Sequence, residues 1–196
     1  MVVPEVTGGV TSCGMANGGE DVVEIFAGGV CWGSPGPGGW GALLRSGHGE
    51  GEIFGGEPST TGSRMELMAV VCALEELSRR AAVRLSTDSE YVVLGVSRSL
   101  PQWRVDGSLT GDGQAIVDVD LWRRLDELIQ EHDIDWLWRR GHGDEFEHDR
   151  VGRLAVRGAG EGAAGEPGPG RSARTGSRMS AGGWLGELLS SLIARW

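Results

Sequence analysis

The sequence predicts an α/β domain built on one mixed sheet, with three antiparallel strands first and α–β crossovers after them. Three observations predict it. The β-rich runs "VVEIFAGGVCW", "WGALLRSG" and "GEIFGGE" follow one another closely, with "SPGPGG" as a turn between the first two. Two later runs, "AAVRLSTDSE" and "DIDWLWRR", are each preceded by a helical pattern. The resulting order, βββαβα(α)αβα, implies a meander continued by crossovers, with helices on the sheet faces.

Each element has its own signal. "VVEIFAGGVCW" alternates loosely and is rich in β-formers. In "TTGSRMELMAVVCALEELSRR", Thr60, Thr61 or Ser63 can cap a helix. Met65, Met68, Cys72 and Leu77, with Leu67, Val71 and Leu74, give that helix the broad apolar face that burial on a sheet requires. "AAVRLSTDSE" is a short buried strand with Ser86 and Thr87 at its end, and "SEYVVLGVS" is helical. "VDLWRRLDELIQEH" places Leu121, Trp122, Leu125, Leu128 and Ile129 on one side of an amphipathic helix. "DIDWLWRR" alternates Ile134, Trp136 and Trp138 with polar neighbours, as a last strand does. "EFEHDRVGRLAVRGA" is a helix that runs out in glycines.

Composition bounds the function class. The formal net charge is −10, and all 18 cations are arginine. Such a chain repels phosphate backbones at long range unless a local basic patch intervenes. Cys13, Cys31 and Cys72 are widely spaced and odd in number, with no zinc-ligand spacing, so reduced thiols are expected rather than a disulfide framework. There is no run of 18 apolar residues and no signal-peptide pattern. The expectation is a cytoplasmic chain with no transmembrane insertion.

Two carboxylates carry the chemistry. Asp88 ends a buried strand in "LSTDSEYV", where it could equally cap the following helix. Glu66 lies among Met65, Leu67 and Met68, and a half-buried carboxylate there calls for a partner or a metal. With "VEIFAGGVCWGSPGPGGWGALL", "TTGSRMELMAVVCALE", "LSTDSEYV", "VDLWRRLD" and "RGHG" in this order and spacing, residues 21 to 157 resemble type 1 ribonuclease H.

The resemblance implies a ribonuclease H-like fold with a five-stranded mixed sheet. It also implies cleavage of the RNA strand of RNA–DNA hybrids, by four carboxylates holding two Mg²⁺ (or Mn²⁺) ions. Carried over residue by residue, the helix glutamate falls on Glu66, the strand-end aspartate on Asp88 and the loop histidine on His142. The first-strand aspartate falls on Gly28 and the last-helix aspartate on Gly152. Two of the four carboxylates are therefore missing, and Asp149, three residues before Gly152, is the one neighbour placed to substitute weakly. Binding of at most one ion, and weakly, is expected. The hybrid-contact positions fall on Cys31, Ser34, Thr61, Gly62 and Ser63. An asparagine is replaced at Ser34, and two more at Gly62 and Ser63. The stretch "PQWRVDGSLTGDGQAIVDVD" is acidic in balance, so hybrid binding is expected to be weakened.

Outside the core, residues 1–20 read as a disordered leader, 21–158 as the domain and 159–182 as a Gly/Pro-rich linker. Residues 183–196 read as an amphipathic helix; helix 184–196 could dock on its own domain or engage a protein partner. The reading favoured by these residues is a ribonuclease H relative with impaired or absent catalysis. An active hybrid endonuclease with substitute ligands and a non-catalytic interaction module using the C-terminal helix are the alternatives.

Overall fold

The computed structural model describes residues 22–47, 49–106, 117–139, 146–164 and 170–172. Strand β1 (Val23–Cys31) runs antiparallel to β2 (Gly36–Ser46), which pairs antiparallel with β3 (Gly49–Thr60). Helix α1 (Gly62–Glu75) then crosses over to β4 (Ala82–Thr87), which lies parallel to β1 on its other side. Helix α2 (Glu90–Leu94), a π-helical turn (Gly95–Ser99) and helix α3 (Leu100–Asp106) follow, then α4 (Val119–Glu131) and strand β5 (Asp133–Trp138), parallel to β4. Helix α5 (Phe146–Ala163) follows. The expected five-stranded mixed sheet is present in the order β5-β4-β1-β2-β3. A short strand β6 (Gly170–Ser172) extends it at the β3 edge.

Strand alternation divides the sheet into two faces. Ile25 and Ala27 of β1 and Val83 and Leu85 of β4 join Met65, Leu67, Val70, Val71 and Leu74 of α1 in the main core, completed by Trp122, Leu125 and Leu128 of α4. Full burial of each Val, Leu, Ile or Met side chain among these contributes about 1.5–3 kcal/mol. Helix α5 lies on the other face, over β1, β2 and β3. Its contact is backbone on backbone: a Cβ at Gly39 would stand 2.1 Å from the Ala155 carbonyl oxygen, and one at Gly158 would stand 2.0 Å from that of Gly55.

This packing corrects the boundary at residue 158. The glycines after it continue α5 to Ala163, and Gly162 lies against Glu57 of β3. Gly158 and Gly162 are small because a helix is pressed onto a sheet, so the segment is not linker throughout; Gly170–Ser172 also pairs with Glu52–Phe54. The 1–20 leader and the 184–196 helix lie outside the described residues. Thr61 caps α1, its side chain accepting from the Arg64 N–H at 3.2 Å. The cap of α2 is Ser89 rather than Asp88. Cys31 and Cys72 are free thiols, and burial pushes the Cys72 thiol up to about 12. No described helix is long and apolar enough to cross a membrane.

Candidate functional site

The parallel pairing of β1 with β4 brings the first-strand and strand-end positions together. Ala27 is in register with Thr87, so Gly28, within β1, and Asp88, just past the end of β4, come next. A Cβ on Gly28 would stand 4.0 Å from Asp88 Oδ1 and 3.1 Å from Val151 Cγ1 of α5. Gly29 points to the opposite face, where α1 leaves no room for a side chain: a Cβ there would be 2.5 Å from the Glu66 backbone nitrogen. That close approach seats the first turn of α1 on β1 and delivers Glu66 to the same end of the sheet. On α5, Gly152 follows Val151, and a Cβ at Gly152 would meet nothing within 4 Å.

Glu66 is half-buried and accepts a short hydrogen bond from the Ser89 hydroxyl. Ser89 Oγ in turn accepts from the Val92 N–H at 3.2 Å, capping α2, while its own N–H donates to Thr87 Oγ1 at 3.2 Å. The partner that the half-buried glutamate requires is thus a serine, which ties α1 to α2. Burial raises the Glu66 carboxyl above its ordinary 4.5; the Ser89 hydrogen bond acts against this shift and the nearby Asp88 charge adds to it. The folded state therefore holds the Glu66 proton more tightly than the unfolded chain does. Stability is lost as pH rises from about 4.5 through the raised folded value, and the loss is complete above it. Glu66→Gln, which keeps an acceptor for Ser89, is expected to raise the melting temperature at pH 7 and to confer no gain below about pH 4. Melting curves across that range check it; an equal gain at both ends would exclude the carboxylate's charge as the cause.

The remaining positions fall into two groups. Cys31 Sγ donates to the carbonyls of Thr60 (3.4 Å) and Gly36 (3.5 Å), tying the β1–β2 turn to the β3–α1 junction. Thr61, Gly62 and Ser63 form the start of α1 beside it, and Ser34 is exposed in the turn. Asp149, in contrast, is 81% exposed and lies 4.0 Å from Arg153, and among the described residues it forms no metal-holding group with Glu66 and Asp88. His142 lies outside the described residues. Ser89 and Val151 are the neighbours that sequence reasoning missed. Ser89 had a legible signal, a serine directly before a helical run. Val151 had none, because its role comes from the docking of α5 on β1.

Among the described residues the donor set does not fit a pair of divalent ions. Among the described residues no three of His, Cys, Asp and Glu stand close enough together to hold a metal. Glycine at 28 and 152 offers no side-chain oxygen, and one Glu66 oxygen is engaged by Ser89.

The comparisons with known proteins accord with the fold. Residues 20–160 match the family model described as RNase H. The chain is 50% identical over 138 residues to the ribonuclease H of Aromatoleum aromaticum, covering 70% of this chain and 90% of that one. It is 49% identical over 139 residues to that of Alcanivorax borkumensis, covering 71% and 92%. Among solved structures it is similar to LC9-RNase H1, a type 1 RNase H with the type 2 active-site motif. That similarity has a TM-score of 0.68 and 28% identity, covering 80% of each chain.

Proposed function

The chain belongs to the ribonuclease H family, and from that premise we propose that it is a member whose hybrid-cleaving site is incomplete and whose catalysis is impaired or absent. One observation carries the reading. A side chain on Gly28 would point between Asp88 and Val151, where a carboxylate could join Asp88, and this chain has a hydrogen atom there. The second glycine, Gly152, stands on α5 where an aspartate side chain would have open space. Two Mg²⁺ ions sit only about 3.5–4 Å apart in sites of this kind and need bridging oxygens between them. Glu66 and Asp88 would hold one ion at most, and weakly, so the described residues provide no route to an activated water. Hybrid binding through the Cys31–Thr61 end of the sheet is retained in this proposal, weakened by the acidic balance of the chain.

The test is a gel assay on a labelled RNA–DNA hybrid with Mg²⁺ or Mn²⁺, with hybrid binding measured alongside. No cleavage above background is expected. Cleavage by the unmodified chain that Glu66→Ala abolishes would overturn the proposal and favour an active nuclease with other ligands. Asp149 is a poor candidate for such a ligand, since its carboxylate faces solvent.

A further inference from the structure

Arg64 stands in the first turn of α1, directly after Thr61, Gly62 and Ser63. Three carboxylates surround its guanidinium. Nη1 and Nη2 donate to Asp120 at 3.0 and 2.8 Å, Nη1 also donates to Asp118 Oδ1 at 3.2 Å, and Nε lies 3.4 Å from Glu57 Oε2. One cation therefore meets three anions.

Asp118 is the costly member of this group. It precedes α4 in the left-handed region, at φ 60°, where a non-glycine residue is strained, and its side chain makes no capping hydrogen bond. The side chain is only 8% exposed, and Oδ2 is buried with no hydrogen-bond partner among the described residues. A buried carboxylate oxygen without a well-placed donor is destabilising, and the Arg64 contact on Oδ1, with the Tyr91 hydroxyl close to the carboxylate, offsets it only in part. Asp120 is different: it is largely exposed and accepts a two-pronged bond, which holds its carboxyl below the ordinary range. The fold tolerates Asp118; it does not need it to restrain Arg64, since Asp120 and Glu57 already do so.

We infer that Asp118 is a specificity-determining residue that keeps Arg64 from nucleic-acid phosphate, its carboxylate standing where a phosphate oxygen would otherwise meet the guanidinium. Asp120 holds the paired Nη1 and Nη2 donors and Glu57 faces Nε, so Asp118 takes a further Nη1 N–H, a donor that a phosphate oxygen could otherwise accept from. The carboxylate also repels any phosphate that approaches the start of α1. The inference rests on the hybrid-binding half of the proposal above and is independent of whether the metal site works.

The test is RNA–DNA hybrid affinity of the full chain across a salt series. Asp118→Asn keeps the shape and removes the charge. It is expected to tighten binding roughly tenfold at low salt and to steepen the slope of log affinity against log salt by about one unit, the signature of one added phosphate contact. Its melting temperature should hold or rise. Arg64→Gln in the Asp118→Asn background should abolish the gain. Unchanged affinity and slope in Asp118→Asn would overturn the inference, and a lowered melting temperature with unchanged affinity would assign Asp118 a structural role instead. An unmodified chain and an Asp118→Asn variant that both fail to bind hybrid would overturn this inference and the hybrid-binding proposal together. Cleavage by the unmodified chain would overturn only the silent-site proposal.

Discussion

The chain carrying Gly28→Asp and Gly152→Asp together is expected to cleave the RNA strand of an RNA–DNA hybrid in Mg²⁺, roughly 10³-fold faster than the unmodified chain. That figure corresponds to about 4 kcal/mol of transition-state stabilisation, the scale of several kcal/mol that bound divalent ions supply. The two reversions are not equivalent. An aspartate at 152 enters open space on α5. At 28, the new Cβ would lie 3.1 Å from Val151 Cγ1, tighter than ordinary van der Waals contact, so Val151 must give by a few tenths of an ångström. Valine is stiff at χ1 and moves reluctantly. Adding Val151→Ala should therefore raise activity beyond that of the double variant, and Glu66→Gln in that background should abolish it. Single-turnover cleavage measures all of these. A triple variant that binds hybrid but cleaves nothing would show that the missing carboxylates are not what silences the chain.

Gly158→Ala is expected to destabilise the fold by roughly 3 kcal/mol, at the upper end of what overpacking a close contact costs. By itself, alanine in a helix interior is better than glycine by about 1 kcal/mol. Here that gain is overridden, because the added Cβ would stand 2.0 Å from the Gly55 carbonyl oxygen, and neither α5 nor β3 can retreat without opening their shared interface. Gly160, two residues on in the same helix, is the control. It is exposed, and a Cβ there would meet nothing within 4 Å, so Gly160→Ala should stabilise by up to about 1 kcal/mol. Denaturant unfolding of both variants checks the pair. Effects of the same sign at 158 and 160 would refute the account of α5 as a helix lying directly on the sheet backbone.

Those two glycines also show how far the sequence could be read. "VRGAGEGAAGEPGPG" has the composition of a linker, and composition alone cannot separate a flexible glycine from one that admits a neighbouring backbone. The distinction lies in what stands opposite, and for Gly158 that is Gly55, a hundred residues away. The same holds at the site. Glu66 and Asp88 were legible because a carboxylate among apolar residues, or at the end of a buried strand, contradicts its local environment. Which neighbours they have was not legible: Ser89 on Glu66, and Val151 against Gly28, arise only when α1, α2 and α5 dock.

The sequence by itself determined the order and type of the elements from β1 to α5, the antiparallel-then-crossover sheet, and the positions of Glu66 and Asp88, since these follow from local periodicity, turn chemistry and residue type; Gly28 and Gly152 were marked by the resemblance to ribonuclease H. Tertiary structure alone decided how the glycines and charges are used. It turned part of an apparent linker into a helix seated on β3, gave Glu66 a serine for a partner, and buried the Asp118 carboxylate against Arg64. The physical reason is that periodicity reports which face of an element is buried, whereas close approach and charge pairing depend on residues brought together from distant parts of the chain.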